Sequence, residues 1–137
     1  MQTTVKVAIY NSDDEALVRA GLKKPEQVRQ ITVDCVADSG ATMLTLPEDM
    51  ANVLELPPLR KVKVRYADGR VEERWVRGGA RVEIQERTAF TQVLIEKAGT
   101  KPLVGHVVME LLDLVDPSQG KVKPRPESPE LPLIEQL

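Results

Sequence analysis

The segment Asp38-Ser39-Gly40-Ala41-Thr42 separates two apolar runs, Ile31–Ala37 and Met43–Leu46, and it constrains the fold more than any other part of the chain. Both flanks are strand-like, so the turn joins two segments that can be buried in one sheet. This predicts a carboxylate held by rigid structure where the core should be. Such a group is costly unless hydrogen-bonded, paired or protonated, and groups held that way tend to do acid–base chemistry. Asp38 is therefore the first candidate for a catalytic residue. The same tripeptide is also ordinary turn chemistry, in which Asp and Ser cap their own backbone and Gly supplies a positive φ.

A second pattern lies downstream. Pro102-Leu103-Val104-Gly105 leads into His106–Leu112, where Val107, Val108, Leu111 and Leu112 recur at helical spacing. In order and separation, the two patterns resemble those of the single-domain, retropepsin-like aspartic proteases. That family has an apolar strand, an Asp-Thr/Ser-Gly-Ala turn, a flap hairpin, and an apolar-apolar-Gly segment before a short helix. The resemblance runs from about Val5 to Pro117, and Val107 stands where the family often carries Asp. It implies an all-β fold over residues 1–117: a closed acid-protease-like barrel with a flap hairpin and two or three short helices. Residues 118–137 would be a Pro-rich tail.

The resemblance also implies an aspartic endopeptidase that works as a homodimer on a peptide or protein substrate, without cofactor or metal. With 137 residues and 42% apolar content, the chain can build one compact core but not two lobes. Ala67-Asp68-Gly69 lacks the apolar flanks of Asp38-Ser39-Gly40, so a second catalytic carboxyl would come from another chain. Two adjacent carboxyls sharing a proton can both deprotonate water and polarise a carbonyl.

Around Asp38, Gly40 lets backbone approach the carboxylate and offers its N–H as a donor. Ala41 is small enough to leave room for substrate, and Thr42 is read as a cap of the turn. The resemblance assigns the Ser39 hydroxyl to a hydrogen-bond lattice across the dimer. Val62, Val64 and Tyr66 alternate with charged residues, Ala67-Asp68-Gly69-Arg70 supplies a turn, and Val71–Val76 returns, which is a hairpin signal. The resemblance makes Ala67-Asp68-Gly69 the mobile flap tip. It also suggests that Tyr66 walls the cleft and sends its hydroxyl toward the catalytic turn.

Elsewhere, Val5–Tyr10, Ala80–Ile84 and Ala89–Ile95 read as strands, and Pro47 opens a short helix through Leu54. Ser12 and Glu15 have capping-box spacing, with Ala16, Leu17, Ala20 and Leu22 expected on the core side. Leu114-Val115-Asp116 and Lys121-Val122-Lys123 are able to pair. The Pro124–Leu137 tail is either a disordered end or an arm docked through Leu131, Leu133, Ile134 and Leu137.

Several functions are disfavoured. Net charge is −2 with the signs interspersed, so no nucleic-acid or membrane partner is expected, and Lys61–Arg65 reads as a solvated strand face. Cys35, the sole cysteine, excludes an internal disulfide and reads as a core residue, and His106 reads as structural. None of Ser12, Ser39, Ser118 and Ser128 lies in a Gly-x-Ser-x-Gly elbow. The N-terminus lacks a charged and an apolar leader region, and no apolar run approaches the ~20 residues that cross a bilayer, so a soluble cytoplasmic protein is expected. Two rival readings stay open. One is a non-catalytic module using the same barrel for dimerisation or peptide binding; the other is a small β-barrel in which Asp38-Ser39-Gly40 is only a tight turn.

Overall fold

A computed structural model describes residues 3–115 and 122–136 of the chain. Its strands are β1 (Thr4–Asn11), β2 (Gln30–Ala37), β3 (Leu44–Pro47), β4 (Pro58–Arg65), β5 (Val71–Ile84), β6 (Arg87–Glu96), β7 (Leu103–Val104), β8 (Leu114–Val115) and β9 (Lys123–Pro124). Helices α1 (Ser12–Arg19), α2 (Glu48–Leu54) and α3 (His106–Leu111) interrupt them. The main sheet has the order β1-β2-β7-β3-β6-β5-β4, and β1 also pairs with β5. Six strands thereby close into a ring, and β4 hangs outside it, paired only to β5. Closure follows from period-2 patterning: Val5, Val7 and Ile9 of β1 and Ala80, Val82 and Ile84 of β5 point into one core with Leu44, Leu46, Val93 and Val104. The chain is thus mostly β, as the sequence predicts.

β5 is a single strand of fourteen residues rather than two shorter ones. Its first half pairs with β4 and projects as a hairpin; its second half pairs with β6 and β1 inside the ring. A register shift between Arg77 and Ala80 separates the two halves. The turn from β5 to β6 is Gln85-Glu86, both at positive φ. No Gly or Asn announces it.

Two helices differ from expectation. Asn11, not Ser12, caps α1 by accepting from the Asp14 N–H at 3.0 Å. The same Asn11 side chain donates to the Leu54 carbonyl at 2.9 Å, which ties α1 to α2. Leu17 and Leu22 are exposed, and the buried residue of α1 is Asp14. Although burial works against its charge, Lys23 and Arg29 hold its carboxyl below the ordinary range. In α3, Val108 and Met109 face the core while Val107 and Leu111 face out. α2 forms as predicted, with Pro47 at its N-cap.

β8 and β9 pair as the sequence suggested, through Leu114–Pro124 and Val115–Lys123; Asp116 and Lys121 fall outside the described residues, as does the expected boundary between residues 117 and 118. The chain after β9 is tied to the barrel by a buried polar knot. The guanidinium of Arg87 donates to the carbonyls of Leu112 (2.8 Å), Asp113 (3.1 Å) and Ser128. The Asp113 carboxylate accepts from the Ser128 hydroxyl, Arg125 and the Leu133 N–H (2.9 Å). Those bonds, the Ser128 hydroxyl first, hold its carboxyl down to about 2.

A folded value below the ordinary Asp value of about 3.9 means that this anchor is fully present above about pH 4 and is lost as pH falls through about 2. The Leu133 amide resonance is therefore expected to hold its neutral-pH position down to about pH 3 and to move with a midpoint near about 2. Asp113→Asn should give the released position at every pH. A wild-type resonance titrating at the ordinary Asp value would contradict the anchor.

Candidate active site

The Asp38 turn is fixed from behind by backbone. The Asp38 N–H donates to the Val104 carbonyl at 3.0 Å, the His106 N–H to Ala41 O at 2.8 Å, and the Val107 N–H to Thr42 O at 3.1 Å. β7 slots between β2, parallel, and β3, antiparallel. Gly105 is where the two sequence patterns touch: a Cβ there would lie 2.5 Å from Thr42 C, 2.6 Å from Thr42 O and 2.7 Å from Met43 N. Only a residue without a side chain lets the chain pass so close. Thr42 thus acts through its carbonyl and backbone path.

Asp38 is exposed, not enclosed by the core as its flanks predict. The apolar runs are drawn into the ring, while the turn protrudes where β2 ends. Its carboxylate accepts from the Gly40 N–H at 2.9 Å, the contact the sequence anticipated. Asp38, Gly40, Ala41 and Thr42 line one wall of a cleft of about 870 Å³. Val62, Val64, Tyr66 and Ala67 of the hairpin line another, and Leu94, Glu96 and Leu103 complete it.

The structure therefore brings the turn and the hairpin together on one cavity, with Leu103 between them. Val104 and Gly105 lie behind the turn, outside the cleft lining. Ser39 lines a separate hollow with His106, Glu110 and Arg125. Asp68 and Gly69 shape the hairpin tip without lining the cleft: Gly69 takes φ 89°, and Asp68 accepts from the Arg70 N–H at 3.0 Å and pairs with its guanidinium at 2.8 Å.

Tyr66 walls the cleft, but its hydroxyl donates to Glu96 at the end of β6 rather than reaching the turn. Arg74 pairs with the other Glu96 oxygen at 2.9 Å. Burial, and then the bond to Glu96, push the Tyr66 phenol up to about 12. Neither Glu96 nor Arg74 carries a local signal: they meet because β6 pairs with β5 beyond the unsignalled Gln85-Glu86 turn, in the register that sets Val76 against Leu94. Lys63 and Arg65, read as a solvated face, line the cleft. The concentration of Arg and Lys in the hairpin was the available signal.

Other chemistry finds little support among the described residues. Cys35 is fully buried, and burial, helped by Asp34, pushes its thiol up to about 12, far from a thiolate nucleophile. The His106 ring lies 3.1 Å from the Ala41 carbonyl, a structural contact. Among the described residues, no group of three His, Cys, Asp or Glu is arranged to hold a metal, and no helix is long and apolar enough to cross a membrane. No family model matches the chain, and no curated protein does either.

Gly105→Ala is expected to cost about 1–3 kcal/mol by overpacking against Thr42, measured by chemical denaturation; a variant as stable as wild type would contradict the close approach. Glu96→Gln is expected to lower the Tyr66 ionisation, because it removes the negative charge next to the phenolate. Near-ultraviolet absorbance titration reads this directly, and an unchanged titration would exclude the Tyr66–Glu96 bond.

Proposed function

We propose that the chain is a retropepsin-like aspartic endopeptidase, active as a homodimer in which Asp38 and its symmetry mate share a proton and activate water. One observation carries the reading. An Asp-Ser-Gly turn, braced by an apolar-apolar-Gly segment, opens onto a large cleft beneath a β-hairpin. The exposure of Asp38 is consistent with a site completed by a second copy, since one carboxyl cannot serve as both acid and base in the same step.

A face suited to that copy adjoins the turn. The Ser39 hollow shares Glu110 and Arg125 with a neighbouring hollow lined by Val107, Leu111, Leu133 and Ile134. All four of these apolar residues are exposed. Exposed apolar surface of this kind, contiguous with a polar rim, suits association. The α3 residues that turned away from the core, and the arm hung on Asp113, would then meet their counterparts across the twofold axis.

In the dimer, two carboxyls a few ångströms apart cannot both carry charge cheaply, so they share one proton. Activity belongs to the singly protonated window, which gives a bell-shaped pH profile. The hairpin would close over an extended polypeptide. A non-catalytic peptide-binding module on the same scaffold is favoured by one fact: the contact at the Asp38 carboxylate is that of a simple turn, from Gly40.

Cleavage of a mixed peptide library by wild type and Asp38→Asn, across about pH 3 to 8 and read by mass spectrometry, separates the two. The endopeptidase predicts cuts that fall by about 10²- to 10⁴-fold or more in the variant, together with a dimer in sedimentation. A folded protein that cuts nothing at any pH leaves the binding module.

A further inference from the structure

The cleft is basic in a chain that is not. Seven Lys and Arg line it against two carboxylates, Asp38 and Glu96, whereas the whole chain carries a net charge of −2. Glu96 is committed to Arg74 and Tyr66, and Arg70 engages Asp68 and Glu72 at 2.8 and 2.7 Å. Arg60 bonds the neutral Gln92. Lys63 and Arg65 at the hairpin edge, with Lys97 just past β6, have no ion-pair partner among the described residues, and all three are exposed. Like charges crowded around one hollow repel one another, and a negative occupant relieves that repulsion.

From this geometry we propose that the cleft takes extended polypeptide rich in Asp and Glu, with the acidic side chains flanking an apolar centre. The proposal rests on the reading of the Asp38 cleft as a peptide site. Val62, Val64, Leu94 and Leu103 supply apolar wall for the centre of the ligand, while Lys63 and Arg65, from the other face of the edge strand β4, and Lys97 meet its flanks at the rim. Cationic flanks also offset the repulsion that an acidic substrate would feel from Asp38. Screening cuts off the attraction beyond about 8 Å at physiological salt, so the preference acts on residues seated in the cleft rather than on distant ones.

A nucleic acid fits the lining less well. Base recognition in single strands relies on aromatic platforms, and the aromatic ring in this lining, Tyr66, already carries the guanidinium groups of Arg70 (4.9 Å) and Arg74 (5.6 Å). Carboxylate-bearing side chains need no such platform.

The test is fluorescence anisotropy with labelled peptides of one length and one apolar centre, flanked by Glu, Gln or Lys, on the full chain at about 0.15 M salt. The Glu peptide is expected to bind about tenfold tighter than the Gln peptide, a few exposed charge pairs together supplying that factor. Asp38→Asn should keep the preference. The combined Lys63→Glu, Arg65→Glu, Lys97→Glu variant should lose or invert it, and the corresponding Gln set replaces that variant if it does not fold. Equal binding of Glu and Gln peptides overturns the proposal, as does tighter binding of a single-stranded oligonucleotide of equal charge. A Glu preference without cleavage at any pH removes the protease reading and leaves the acidic-ligand site standing; cleavage without a Glu preference does the reverse.

Discussion

The backbone of Thr42 and Met43 runs so close to Gly105 that no side chain fits between them, and the rest of the molecule is organised around that contact. It lets two-residue β7 enter between β2 and β3, and β7 in turn lets the sheet close. The amides of Asp38, His106 and Val107 find their carbonyl partners only because the two segments meet there. A turn rich in small polar residues would otherwise be a mobile surface loop. Bracing the turn from behind, with the Gly40 N–H on the carboxylate, gives the exposed Asp38 a fixed direction, the prerequisite for any chemistry that depends on geometry.

Much of this was legible in the sequence, because its strongest signals are local. Period-2 alternation gave β1 and the hairpin, Pro47 marked the start of α2, and the Asp38 turn announced itself by interrupting two apolar runs. What stayed hidden depends on contacts distant in sequence or on choices that local chemistry leaves open. Val107 and Leu111 have the right spacing for a buried stripe, but a helix of six residues has room for one inward face, and Val108, Met109 and the following Leu112 occupy it. Gln85-Glu86 makes a tight hairpin turn at positive φ without the Gly or Asn that normally signals one. Glu96 meets Tyr66 thirty residues away, a pairing that no window of sequence contains.

Polar groups inside this protein are arranged by purpose rather than scattered. Asp14 and Arg87 with Asp113 are buried and fully engaged, one holding the α1 insertion and the other holding the last segment of chain. Both are anchors whose partial loss would strand a charge, a heavier penalty than never having placed it there. The cleft is built the other way: cations gather on exposed surface with some left unmatched, so the charge remains available to something outside the chain.

The insertion of β7 also bears on how the chain reaches this state. Because Leu103 and Val104 come late in the sequence and join strands that precede them by many residues, the ring is a structure of long-range contacts, a class that folds slowly. Until those two residues arrive, β2 and β3 each present an open edge able to pair with another chain. During synthesis the interval between the emergence of β2 and that of β7 is thus the period of greatest exposure to aggregation, and the residues that steady Asp38 are the same ones that bring it to an end.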